Sequence, residues 1–230
     1  MDAPNLLCYN AGMCRKYAHE FLSSLLAGLF ITIGATVFLV MKSAGDGYLF
    51  TILGSLFFAL GLFGIIHWRL WLYTGKVGFA LDNPPGYFTD LLVCLAGNLV
   101  GMVACSKMLL CTRLAPALVK AAAPLVATKT GDGALSIFLL SVMCGVMIYI
   151  AVKGHAVCDY ACGKVMIVFL AISVFILCGF EHVVANAAYF TFSGVFDGRT
   201  VWLFAIMAVG NGVGSIALDG LLKLTDRLKV

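Results

Sequence analysis

Glu181 and His182 stand side by side in Val165–Phe196, a stretch that carries no other acidic or basic residue. An ionisable group at membrane depth is costly and usually faces a cavity or a partner, and an unperturbed imidazole titrates near neutrality. His182 is therefore a candidate donor of a hydrogen bond, or of a proton, to an anion; the alternative is a buried or interfacial histidine satisfied by a neighbour. Glu181 is assigned to orienting its surroundings, because a bare carboxylate in an anion's path would repel it. A second polar interruption spans His67–Gly78, where Thr74 lies with Gly75 and Gly78 inside a continuing apolar pattern. Its hydroxyl can donate one hydrogen bond, and the glycines allow backbone conformations closed to other residues.

Other residues frame these two. Lys16, Lys76, Lys129 and Lys153 are candidate attractors, since a cationic vestibule concentrates anions; the alternative is snorkelling to headgroups. Phe58, Leu62, Leu72, Tyr73 and Phe175 neighbour the interruptions and could form constrictions that strip water from a permeant, or could simply pack. Asn98 and Asn211 can pair with backbone groups freed where a helix breaks. With Glu181, Asn186, Gly75 and Gly179 they are assigned to structural support.

The elements that position these residues follow from composition. Of 230 residues 62% are hydrophobic and 11% charged, against about 25% charged in a soluble domain, so the bilayer is the natural solvent. A helix crosses roughly 30 Å of hydrocarbon in about 20 residues. Phe21–Met41, Gly47–Ile66, Ala134–Val152 and Thr200–Leu218 suit that length, Leu91–Ser106 does so when Tyr87–Thr89 extend it, and Val165–Phe196 is the interrupted sixth. Backbone groups in hydrocarbon need internal partners, so the spans are predicted as helices; the alternation of a barrel is missing. Met1–Glu20 lacks a cleavable apolar core, so the first span is expected to be retained.

Several function classes are disfavoured. The net charge of +4 includes no basic block interleaved with aromatics, so no nucleic-acid binding is expected. The nine cysteines, Cys8, Cys14, Cys94, Cys105, Cys111, Cys144, Cys158, Cys162 and Cys178, mostly lie in or beside apolar runs and are assigned as small buried hydrophobes. Cys158 and Cys162 without nearby histidines make a poor metal pair. His19, His67, His155 and His182 are not paired at metal-ligand spacing, so no cofactor, no metal and no enzyme activity are expected. Six spans place both termini on one side. The lysines and arginines of the short loops favour that side as cytoplasmic, with the long third connection, Ser106–Gly133, on the other.

Gly97-Asn-Leu-Val-Gly101 and Gly210-Asn-Gly-Val-Gly214 share the pattern G-N-x-V-G at the corresponding point of each half of the chain. A duplicated three-helix unit explains this, with repeat one at about 21–112 and repeat two at about 132–223 within a single transmembrane domain covering 1–230. Three spans per unit invert the second copy, and inverted repeats place a pathway at the bilayer midplane, often through broken helices. Spans two and five are the ones with polar interruptions. Thr74 and the region around His182 are then counterparts that can converge. The glycines form two G-x-x-x-G faces for close helix approach.

Ala59-Leu-Gly-Leu62, Leu72-Tyr-Thr-Gly75, the two G-N-x-V-G pentamers and Gly179-Phe-Glu-His-Val-Val-Ala-Asn186 resemble the formate/nitrite transporter family, over Phe21 to about Lys223. The resemblance implies an all-α membrane protein of six transmembrane helices, arranged as two inverted repeats with spans two and five broken. It implies a homopentamer in which each protomer holds its own aquaporin-like pore for small anions such as formate, nitrite or hydrosulfide (HS⁻), with or without a proton. Carried over, His182 is the central pore histidine and Thr74 its polar partner. Phe58, Leu62 and Phe175 form one apolar slit and Leu72 and Tyr73 the other, and Lys129 draws anions into a vestibule. Trp71 replaces an acidic residue common before L-F-T-G, and Lys76 an asparagine common after it. With Lys153, the form L-Y-T-G-K-V-G resembles the hydrosulfide-channel branch, so HS⁻ is the leading anion. The alternative is a neutral-solute channel, against which the missing paired Asn-Pro-Ala motifs count. The expected location is the inner (cytoplasmic) membrane.

Overall fold

A computed structural model describes residues 3–45 and 47–229, with side chains from residue 12 onward. The chain order is α1 (Ala3–Ala44), α2 (Tyr48–His67), α3 (Tyr73–Lys76) running into a 3₁₀ turn (Val77–Asp82), α4 (Tyr87–Leu110), α5 (Ala115–Gly131), α6 (Ala134–Val157), α7 (Ala161–Leu177), α8 (Val183–Ser193) and α9 (Gly198–Arg227). Among the described residues the protein is all helical, and large apolar side chains such as Leu22, Leu60, Leu92 and Leu170 point outward as lipid-facing helices require. Among the described residues five helices are long and apolar enough to cross a bilayer: Gly12–Ala44 of α1, α2, α4, α6 and α9. The interrupted sixth stretch is divided between α7, of 17 residues, and α8, of 11. Among the described residues the eight cysteines are free thiols, and Cys8 has its side chain outside them.

Two features depart from expectation. The first helix continues far upstream of Phe21, because nothing in the mixed sequence before it breaks a helix. The connection Ser106–Gly133 is not a plain loop: α4 runs on to Leu110 and α5 follows, burying Leu118, Ala122 and Val126 against α1 and α8.

The helices pair as α1 with α4 and α6 with α9. The glycines explain the closeness of both pairs. A Cβ on Gly101 would collide with the Leu25 carbonyl oxygen, and one on Gly214 with that of Val142. Only glycine lets the backbones approach so far. Asp197 caps α9 with a capping box; hydrogen bonds from the Thr200 backbone and hydroxyl hold its carboxyl below the usual range.

Helices α2 and α7 end in the same way. Leu70 N–H donates to Ile65 C=O and Arg69 N–H to Ile66 C=O, while Phe180 N–H donates to Phe175 C=O and Gly179 N–H to Ile176 C=O. Both are Schellman ends, whose penultimate residue must be left-handed. Gly179 meets this at φ 68° without strain, whereas Arg69 takes φ 55° with a full side chain, at a cost of about 1–2 kcal/mol.

Candidate functional site

After each Schellman end the chain extends for a few residues before helix resumes, at Leu72 (φ −112°, ψ 124°) and at His182 (φ −103°, ψ 114°). Extended backbone within a helix bundle has unpaired N–H and C=O groups, and two asparagines satisfy them. Asn98 accepts from Tyr73 N–H at 2.8 Å and donates to the carbonyls of Trp71 and Ser24, each at 2.8 Å. Asn211 accepts from Val183 N–H at 3.0 Å and donates to the carbonyls of Glu181 and Ser141 at 2.7 and 2.8 Å.

This matched bonding sets a register. Trp71 stands where Glu181 stands, Leu72 where His182 stands, and Lys76 where Asn186 stands. The sequence expectation that Thr74 is the counterpart of the His182 region is thereby refined: by register Thr74 answers to Val184. The two side chains meet all the same. Thr74 Oγ1 lies 2.8 Å from His182 Nε2, both residues being at most 2% exposed.

The other ring nitrogen fixes the tautomer. Ala185 N–H donates to His182 Nδ1 at 3.0 Å, so Nδ1 is an acceptor and the proton of the neutral ring sits on Nε2. Nε2–H then donates to Thr74 Oγ1, which leaves the threonine hydroxyl proton free to donate onward. An imidazolium would set two N–H groups against each other at Nδ1, so adding a ring proton requires the Ala185 contact to open.

Two cavities approach this contact. One, about 60 Å³, is lined by Lys129, Phe175, His182, Asn186 and Tyr189. The other, about 320 Å³, is lined by Leu62, Leu72, Gly75, Lys76 and Val152 among others. Lys129 precedes the start of α6 and Val152 lies near its end, so the cavities open toward opposite ends of the bundle. Phe175 packs between, with Phe58 edge-on and the His182 ring stacked, each centroid 5.8 Å away.

The family model for formate/nitrite transporters matches residues 10–225. The chain belongs to the formate/nitrite transporter family. Formate channel FocB of Escherichia coli (strain K12) is 26% identical over 191 residues, covering 76% of this chain and 66% of that one, just under two thirds of the relative's length. Among solved structures, a pentameric formate channel with formate bound matches with a TM-score of 0.79 at 22% identity, over 94% of this chain and 99% of that one. An FNT family ion channel gives the same TM-score, 0.79, at 20% identity, over 90% and 89%. These three relatives are named as channels, and this family member is a multi-pass membrane protein with the fold of the two solved structures.

Within this family member, the lysines singled out by sequence divide. Lys129, at the end of α5, bonds both carboxylate oxygens of Glu181 at 2.8 and 2.7 Å, and Asn186 Nδ2 donates to Glu181 Oε2 at 2.6 Å. Lys16 bonds Asp90 at 2.7 Å and lies 3.6 Å from Glu20. Both charges are neutralised locally, which weakens their expected role as free attractors. Lys76 and Lys153 pair with no carboxylate among the described residues: Lys76 sits 5.0 Å over the Trp71 ring and Lys153 5.8 Å over Phe79.

The expected slits also regroup. Leu62 and Leu72 share one cavity and Phe175 borders the other, while Tyr73 lines neither. Tyr73 turns to α9 instead, its hydroxyl donating to Ala208 C=O at 3.0 Å. Sequence reasoning missed Asp90 and Arg69. Asp90 had a signal, as a lone charge near the start of a span; Arg69 shows itself only when the two helix ends are aligned.

Proposed function

We propose that this protein is a channel for a small monovalent anion, with hydrosulfide as the leading cargo and formate and nitrite as further ones. One observation carries this: the buried Thr74–His182 contact, made where two interrupted helices meet between two cavities of opposite aspect. The His182 ring lines the smaller cavity, and an anion crossing between the two cavities passes the Thr74 hydroxyl and the imidazole at their contact. In a dry site such donors replace hydration that the ion has lost. Protonation of the anion beside His182 lowers the cost of passing Leu62, Leu72, Phe58 and Phe175. The preference for HS⁻ rests on resemblance alone, around Leu72–Gly78 and Lys153.

The arrangement proposed with it is six spans in two inverted repeats, about 21–112 and 132–223, supported by the matched asparagine bonding and paired Schellman ends. A homopentamer in the cytoplasmic membrane, with cytoplasmic termini, completes the proposal. The name of the pentameric formate channel and the lysine and arginine balance of the short loops support it.

Proteoliposomes test it by comparing HS⁻, formate, nitrite and chloride flux across pH. Wild-type protein is expected to pass the first three well above chloride. His182→Phe is expected to abolish the pH response; unchanged flux and pH response in that variant defeat the role assigned to His182. Thr74→Val keeps the shape and deletes one donor, and an expected loss of about 1.4 kcal/mol corresponds to a tenfold drop in flux. Swelling in glycerol without anion flux would favour a neutral-solute channel.

A further inference from the structure

The larger cavity has a rim that the established family assignment does not address. Besides apolar walls it is lined by Arg69, Lys76 and His155. The described residues place no carboxylate within salt-bridge distance of Arg69 or Lys76, in contrast to Lys16, Lys129 and Lys223. Arg69 is moreover the only non-glycine described residue with positive φ. It occupies the position that Gly179 fills at the matching end of α7, where the backbone bonds are the same. Glycine would form this helix end without strain. Nothing in the backbone therefore calls for arginine, and the side chain must account for its presence.

We infer that Arg69, with Lys76 and His155, forms an anion-recruiting site at the Lys76 mouth of the pathway. The inference rests on the anion-channel reading above and extends it to a residue whose backbone is strained to hold a cation there. The ligand class is a small monovalent oxyanion or hydrosulfide. A guanidinium offers a planar pair of N–H donors. The two cations Arg69 and Lys76, with no paired carboxylate among the described residues, raise the local anion concentration, and the His155 ring adds a neutral polar group beside them. Lys129 cannot serve this purpose at the other mouth while its charge is held by Glu181.

The experiment uses purified full-length wild type, Arg69→Gly and Arg69→Lys, with sodium formate as the probe against sodium gluconate at constant ionic strength. Half-saturation is read twice, from the formate-dependent thermal shift and from flux with formate on one side of a bilayer at a time. Arg69→Gly is expected to melt about 2–4 °C higher than wild type without formate, from relief of strain. Its half-saturating formate concentration is expected to rise about threefold, the effect of one unit charge several ångströms away near water, and only from the Lys76 side. Arg69→Lys is expected to keep wild-type entry and to lack the gain in melting temperature shown by Arg69→Gly. Unchanged half-saturation in Arg69→Gly, an equal change from both sides, or a lower melting temperature would overturn the inference. If wild type binds formate in the thermal assay but carries none, the channel reading fails while the binding comparison still decides this one.

Discussion

Replacing Asn211 with leucine is expected to destabilise the protein by about 3 kcal/mol and to eliminate flux. One amide holds three backbone groups at the second interruption: Val183 N–H, Glu181 C=O and Ser141 C=O. Ser141 C=O lies within α6 and keeps its helical partner. The other two lie in extended backbone, and a buried polar group left unsatisfied costs about 1–3 kcal/mol. Side-chain hydrogen bonds between membrane helices average only about 0.6 kcal/mol, because the separated helices find other partners. The larger figure is expected here because the freed groups are walled in by α6, α8 and α9. Asn98→Leu should behave alike, releasing Tyr73 N–H and Trp71 C=O. Denaturant titration of both variants checks this. A loss below about 1 kcal/mol would mean that water reaches the interruption.

Lys129→Ala is the second large effect, with an expected loss of about 3–5 kcal/mol. The lysine side chain is 11% exposed and that of Glu181 4%, so solvent screens the pair little. Removing the ammonium leaves the carboxylate only the Asn186 amide. The control is Lys129→Ala with Glu181→Gln, which removes the uncompensated charge and is expected to recover most of the stability. If the single and double variants unfold alike, the pair contributes packing rather than charge balance.

The interruptions were legible because polar and glycine residues at His67–Gly78 and Gly179–Asn186 break otherwise apolar runs. The duplicated G-N-x-V-G pentamers pointed to two matched asparagines, and the structure gives both the same bonding role. The register between the halves was less legible. Their places in the two interruptions made Thr74 the counterpart of the His182 region, and the bonds to Asn98 and Asn211 sharpen this by aligning Leu72 with His182 and Thr74 with Val184. Charge pairing was illegible for another reason. Lys16 meets Asp90 and Lys129 meets Glu181 across 74 and 52 positions, and no local pattern encodes such partners. Helix α5 escaped notice because its alanine-rich sequence lacks the apolar length of a span, though Ala115-Pro-Ala marks a helix start.

Helix α5 lies between the two proposed units, yet it delivers the ammonium that neutralises Glu181. At the matching position of the first interruption stands Trp71, and Arg69 and Lys76 near it meet no carboxylate among the described residues. The two interruptions, alike in their backbone bonding, thereby sit at electrically unlike ends. Current carried by an anion should then rectify, passing more readily when the driving voltage brings ions in from the uncompensated end.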